Sequence, residues 1–258
     1  MSDRTLSNMN KVNVCGVKID NVSFQCVLDK IDIFIKEHKN VYIVTPNVDH
    51  IIKLQKDEEF QQVYRDASLV LADGMPLLWA AKFLGTPLKE KISGSDLFPK
   101  LCAVAAERGY KVFFLGGREQ AAEKAAEALK IRHSGLKVAG YFFPPFEFEH
   151  NEAENELIVR MIKQARPDIL FVGLGAPKQE KWIYQFKNQY QVPVSIGVGV
   201  SFEFVSGIVK RAPLWIQRLG FEWFWRLAME PKRLWKRYLT EDMFFFWLIL
   251  KQKLVREK

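Results

Sequence analysis

The sequence predicts an α/β fold: a mostly parallel sheet with helices on both faces, followed by a helical C-terminal appendage. Three observations predict it. Short apolar runs recur along the chain, each closed by glycine, proline or a small polar residue and followed by helical periodicity. At 258 residues the chain can bury a full core and still carry an appendage. The charge also divides it: of a net +8, twelve basic residues against five acids leave +7 from Lys210 onward, with five of the seven tryptophans. The expected division is a body over 1–208 and an appendage over 209–258.

Val12–Ile19 alternates as a strand or hairpin, and Ser23 caps a helix running to about His38. Val41–Thr45 is a β-rich strand ended by Pro46-Asn47, and the next helix carries His50, Ile51 and Leu54. A helix over Glu58–Asp66 precedes the apolar run Leu69-Val-Leu-Ala, a buried strand that stops at Asp73-Gly74. Pro76 and the apolar spacing of Leu77, Ala80, Ala81 and Leu84 open another helix. Ser95 or Asp96 caps a helix over Leu97–Arg108, and Lys111–Leu115 is a strand opening into Gly116-Gly117 and an alanine-rich helix over Glu119–Leu129. Leu136–Gly140 is a short strand before the loop Tyr141-Phe-Phe-Pro-Pro-Phe146. Asn151 starts a helix with Glu152 and Glu154 in its first turn, where acids suit the dipole. Asp168–Val172 and Val194–Val198 are the last strands, with a helix between them. The alternation describes a Rossmann-like sheet.

Three cysteines without C-x-x-C spacing read as reduced thiols in a cytosolic protein. The start Met1-Ser-Asp-Arg-Thr5 lacks the apolar core of a leader, and no uncharged stretch reaches the roughly 18 residues of a spanning helix.

Four strand ends share one grammar: Thr45-Pro-Asn47, Ala72-Asp-Gly74, Gly116-Gly117 and Gly173-Leu-Gly175. Each offers backbone N–H groups or small polar side chains at a helix start, which suits a pyrophosphate. One such glycine pair is ordinarily a tight turn; four together indicate a nucleotide crevice. Neither G-x-G-x-x-G nor a P-loop occurs, so a dinucleotide enzyme and a P-loop NTPase are disfavoured. Asp73 alone would pass for a helix cap, yet a strand's carboxyl end is where open α/β sheets form their ligand crevice. Gln179 and Glu180 fall in a helix's first turn, where Glu180 could simply serve the dipole.

The ordered motifs Thr45-Pro-Asn47, Ala72-Asp-Gly74, Gly94-Ser-Asp-Leu97, Gly173-Leu-Gly-x-Pro-Lys-Gln-Glu180, Lys210-Arg-Ala-Pro213 and Glu222-Trp-x-x-Arg226, with Glu230-Pro231 and Arg233, resemble the WecG/TagA/CpsF family of bacterial glycosyltransferases (glycosyltransferase family 26) from about Val12 to Tyr238. The resemblance implies inverting transfer of a hexose or N-acetylhexosamine from a UDP-sugar to a polyprenyl-diphosphate-linked acceptor, in teichoic acid or other surface polysaccharide synthesis. By motif position Asp73 would be the general base, with Thr45 beside it at the donor sugar and Asn47 and Gln179 in the same pocket. One carboxylate suffices because inversion needs no covalent intermediate. The wider donor pocket is expected to draw on Gly74, Gly116, Gly117, Gly175, Pro177, Glu180 and Glu203.

No Asp-x-Asp motif is present, and the acidic loop Glu147-Phe-Glu-His150 with Glu152, Glu154 and Glu156 reads as solvated. The expectation is catalysis without a metal or other cofactor, the leaving diphosphate being offset by backbone amides and by Arg211, Arg226 and Arg233. Two positions depart from the family pattern: Glu203 stands where Asp is frequent, and Pro76 where glycine is.

In the tail, Trp215, Leu219, Trp223, Leu227, Leu234, Trp235 and Tyr238 fall at helical spacing among cations, before Phe244–Leu250 and Lys251. Some of these rings must be core. The composition otherwise suits an interfacial helix on anionic lipid, and a lipid-linked acceptor gives that reading a purpose. Nucleic acid is not expected, since no nucleic-acid module accompanies the basic stretch. The expected location is the inner face of the cell membrane. A homo-oligomer and a monomer activated at the membrane both fit the resemblance. The competing classes are an NAD(P)-linked sugar-nucleotide enzyme and a non-catalytic scaffold of polysaccharide assembly.

Overall fold

The computed structural model describes residues 10–236, 238 and 242–256. Met1–Thr5, where the lack of a leader was read, and the tail charges Arg237, Glu241, Glu257 and Lys258 lie outside the described residues, as do the side chains of Arg233 and Arg256.

Two strands, β1 (Lys11–Val14) and β2 (Val17–Asp20), form an antiparallel hairpin. The remaining strands are β3 (Val41–Val44), β4 (Leu69–Val70), β5 (Lys111–Gly116), β6 (Lys137–Phe142), β7 (Ile169–Gly173) and β8 (Val194–Gly197). They make one parallel sheet in the order β4-β3-β8-β7-β5-β6. Before the appendage the helices are α1 (Phe24–Lys36), α2 (Val48–Leu54), α3 (Glu58–Arg65), α4 (Met75–Phe83), α5 (Gly94–Arg108), α6 (Ala121–Arg132), α7 (Glu152–Ala165), α8 (Lys178–Tyr190) and α9 (Ser201–Ser206).

Strand residues alternate between two cores, as a pleated sheet covered on both faces requires. Tyr42, Val44, Val70, Phe113, Leu115, Leu170 and Val172 join the core shared with the hairpin, α3, α4 and α8. Ile43, Leu69, Val112, Phe114, Ile169, Phe171 and Ile196 join the opposite core with α1, α5 and α6. There Phe98, Phe114, Phe171 and Phe202 pack ring against ring, with centroids 4.9–5.9 Å apart.

Three boundaries differ from the sequence reading. Ser93, not Ser95 or Asp96, caps α5: its hydroxyl accepts the Asp96 N–H at 3.1 Å and donates to the Asp96 carboxylate at 2.7 Å. β6 runs on through Tyr141 and Phe142, because Phe114 and Leu115 of β5 extend its pairing. β4 ends at Val70, yet the chain stays extended beside β3, with Leu71 N–H bonded to Val44 O and Asp73 N–H to Pro46 O. The acidic loop, read as solvated, folds back on α8 instead: Phe148 is buried and Glu149 pairs with Lys178 at 2.5 Å.

The tail forms α10 (Leu214–Arg218), α11 (Glu222–Met229), α12 (Pro231–Lys236) and α13 (Met243–Arg256). α13 returns to the body: Phe245 and Ile249 enter the first core, and Gln252 bonds the backbone of Cys15 at 2.7 Å and of Asn13 at 2.9 Å.

At the end of β7, a Cβ on Gly173 would sit 2.8 Å from Gly199 O and 2.9 Å from the Phe202 ring. Gly173→Ala should therefore destabilise the fold by about 1–3 kcal/mol, seen as a lower urea midpoint. An unchanged midpoint would mean that the ring has room to move aside.

Candidate active site

The carboxyl ends of β3, β4, β7 and β8 open into a cleft of about 460 Å³, roofed by residues of 217–226 together with Tyr238, Asp242, Phe245 and Phe246. The sheet order explains which turns meet there. β4, β3, β8 and β7 are consecutive neighbours, whereas β5 lies beyond β7.

Each wall has a local cause. After β3, the buried Thr45 donates its hydroxyl to Gly197 O at 3.3 Å. Asn47 caps α2, its side-chain oxygen accepting from His50 N–H at 3.3 Å and meeting His50 Nδ1 at 2.8 Å. After β4, Asp73 precedes Gly74, whose φ of +106° suits glycine, and Pro76 then starts α4 within its first turn. After β7, Gly175 and Ala176 line the cleft and Pro177 enters α8 through a cis bond. Gln179 ties two turns together: its Oε1 accepts from Gly175 N–H at 3.3 Å and Gly199 N–H at 3.0 Å, while Nε2 donates to Glu180 Oε1 at 2.7 Å. Only this amide orientation matches two donors on one side and a carboxylate on the other.

The electrostatics centre on Asp73. Burial and the facing Glu222 carboxylate raise it from 3.8 to about 6, with Asp96 adding to the rise and Lys91 and His50 opposing it. Asp96 lies below its ordinary value: burial works against its charge, but Arg211 and Lys91 outweigh that. Arg226 lines the cleft and makes no ion pair among the described residues. No group of three or more His, Cys, Asp or Glu among the described residues could hold a metal ion.

A carboxylate raised to about 6, in a crevice at strand ends that an arginine also lines, is equipped to deprotonate a hydroxyl and to receive an anionic leaving group. The glycosyl transferase WecG/TagA/CpsF family model matches residues 12–258. The chain belongs to this family. It is 34% identical over 233 residues, covering 88% of each chain, to an N-acetylglucosaminyldiphosphoundecaprenol N-acetyl-beta-D-mannosaminyltransferase of Staphylococcus aureus strain MW2. It is 33% identical over the same length to the protein of that name from strain NCTC 8325 / PS 47.

In this glycosyl transferase the cleft brings together Asp73, Thr45, Asn47, Gly74, Gly175, Gln179 and Arg226. Other expected residues stand behind it. Gly116 and Gly117 form a packing turn: Gly117 donates its N–H to Gly173 O at 2.7 Å, and a Cβ on Gly116 would lie 2.8 Å from that oxygen. Glu180 is fully buried, shared between Gln179 and His50 Nε2, which lies 3.3 Å away. Glu203 accepts the Arg118 N–H at 3.0 Å, orienting the Gly116-Gly117 turn from below. Pro177 supports the wall from α8. Arg211 does not face the cleft; it clamps Glu222 at 3.0 Å, Asp96 at 2.7 Å and Ser95 O at 3.2 Å. The side chain of Arg233 lies outside the described residues.

The cleft also holds residues the sequence did not single out as site residues: His50, Lys91, Glu222, Trp79 and Asp242. His50 had one legible signal, its position three residues after the cap Asn47. Lys91 had none, being one of two lysines in the stretch between α4 and α5.

If Glu222 raises Asp73, Glu222→Gln should move the acidic limb of the kcat/KM profile from near pH 6 to lower pH. Arg211 keeps Asp96 and Ser95 as partners in that variant. A limb that does not move would remove Asp73 as the titrating group.

Proposed function

We propose that this glycosyl transferase moves an N-acetylhexosamine, of the N-acetylmannosamine type, from a UDP-sugar to a saccharide carried on polyprenyl diphosphate, in teichoic acid or related surface polysaccharide synthesis. What carries the reading is Asp73: a carboxylate raised to about 6, in the same cleft as Arg226, which makes no ion pair among the described residues. The names of the Staphylococcus aureus relatives supply the sugar and the acceptor.

In this mechanism the acceptor hydroxyl gives its proton to Asp73 as its oxygen attacks the anomeric carbon from the face opposite the leaving group. The bond from that carbon to the diphosphate oxygen breaks, and its electron pair leaves with UDP. Arg226 and Lys91 offset the charge that develops there. Thr45 lies beside the donor sugar. Asn47 and Gln179 spend their side-chain oxygens on backbone N–H groups, so they hold the walls in place around the donor.

The reading includes a peripheral place on the inner face of the membrane, with 1–208 as the catalytic body and 209–258 as the docking appendage. Its support is exposed apolar surface beside cations: Leu214, Trp215, Phe224, Trp235, Phe246 and Trp247 all stand in solvent, and Lys251 lies 5.2 Å from the Trp247 ring centroid. None of the described helices is long and apolar enough to cross a membrane.

The test is UDP release from a panel of UDP-sugars with a short-chain lipid-diphosphate N-acetylglucosamine acceptor and EDTA, wild type beside Asp73→Asn. Wild-type turnover should persist in EDTA, and the variant should lose roughly a hundredfold or more. The same substitution should stabilise the protein. Folding raises the Asp73 pKa above its ordinary 3.8, so its ionisation costs stability as pH rises from there through about 6. Above pH 6 asparagine should recover about 1–3 kcal/mol, read as a higher melting temperature. Absence of UDP binding would sink the enzymatic reading in favour of a scaffold. A variant both inactive and less stable would point to misfolding instead of a lost base.

A further inference from the structure

Beside the cleft, a second hollow of about 290 Å³ opens between α4 and α13. The two cavities share Pro76, Trp79, Phe245 and Phe246, so they adjoin across those side chains. The smaller one adds Ala80, Phe83, Ile249 and Leu250, and no charged or polar side chain lines it. On α4 the lining positions 76, 79, 80 and 83 form one helical face; on α13 the positions 245, 246, 249 and 250 do the same. Phe245 and Ile249 make a buried floor, while Phe83, Phe246 and Leu250 make a rim that is more than half exposed. Lys253 stands at the rim, 6.0 Å from the Phe83 ring centroid.

Water is a poor occupant for such a surface. Nor is the groove a gap left by a loosely placed helix, because Gln252 pins α13 to the hairpin backbone through two hydrogen bonds. We infer that this groove takes the prenyl chain of the acceptor, holding the isoprene units next to the diphosphate and leading them from the cleft toward the bilayer. The inference rests on the function proposed above, which puts a saccharide diphosphate in the cleft. The apolar chain attached to it must leave the cleft somewhere, and the hollow that adjoins it at Trp79 and Phe246 is lined by apolar side chains. The groove then acts as a second recognition element, which measures the lipid and not the sugar.

Two substitutions on the exposed rim, Phe83→Ser and Leu250→Ser, test this with little risk to folding; Ala80→Leu fills the floor from inside. In vesicle-free solution, N-acetylglucosamine diphosphate acceptors with one and with three isoprene units are compared below their micelle concentrations. The wild type should prefer the longer tail in kcat/KM, and each variant should reduce that preference roughly tenfold. Calorimetry supplies a readout without turnover: geranylgeranyl diphosphate should bind the wild type more tightly than inorganic pyrophosphate, and the variants should lose the difference. A tail preference untouched by all three substitutions overturns the groove. So does a preference seen only with vesicles present and lost together with vesicle flotation, which would make the rim a membrane contact. If no acceptor is turned over while geranylgeranyl diphosphate still binds in a rim-dependent way, the transferase reading falls and the prenyl groove stands.

Discussion

The cleft depends on one buried polar cluster. Glu180, with no exposed surface, accepts from Gln179 Nε2 and faces His50 Nε2, and through those partners it joins the starts of α8 and α2. Gln179 in turn holds the turns after β7 and β8, and Asn47 closes the cluster on the α2 side. Three of the four strand ends that make the cleft floor are thus fixed by five side-chain hydrogen bonds around one carboxylate. Burying a carboxylate is costly, and its Oε2 has no partner among the described atoms. A network of this kind repays its cost in definition: each member has few alternatives, so the walls have one arrangement. Gly197 belongs to the same constraint, because a Cβ there would lie 2.8 Å from Gln179 Nε2.

A second set of charges holds the roof. Arg211 is stacked over Phe204 and joins Asp96 at the start of α5 to Glu222 at the start of α11. Glu222 is thereby held near Asp73, and burial together with its repulsion raises Asp73 to about 6. The protein gives up stability at this point to keep a carboxylate reactive. Roof and floor also touch through packing. Gly220, between α10 and α11 at φ +80°, lies so close on Trp79 that a Cβ would come within 2.6 Å of the indole.

Most elements were legible in the sequence because a short continuous apolar run marks a strand buried on both faces, as in β5 and β7, and apolar spacing near 3.6 marks a helix with one buried side, as in α1 and α8. The site was legible where its residues lie in strand-end turns, as Thr45, Asp73 and Gly175 do. It was not legible where the answer depends on sheet order. Gly116-Gly117 has the same local grammar as Gly173-Leu-Gly175, yet β5 is one strand too far from the cleft and the Gly117 N–H is spent on Gly173 O. Arg211 and Arg226 are likewise alike on paper. One is neutralised by two carboxylates and the other lines the cleft, a difference made by residues more than a hundred positions away in the case of Asp96.

The basic aromatic tail shows how far composition can carry an argument about an appendage. Its charge and tryptophans set it apart from the body, and α10 and α11 do lie over the cleft with Trp215 and Phe224 in solvent and Trp223 turned to the cleft. α13 behaves differently. Its Phe245 and Ile249 belong to the same core as β3 and α4, and its opposite side faces solvent with Phe244, Trp247 and Leu254. An element anchored in the core on one side and apolar on the other cannot swing away without exposing that core. α10 and α11 are held to the body by a glycine on a tryptophan, an arginine between two carboxylates and the Arg118–Glu230 ion pair at the end of α11.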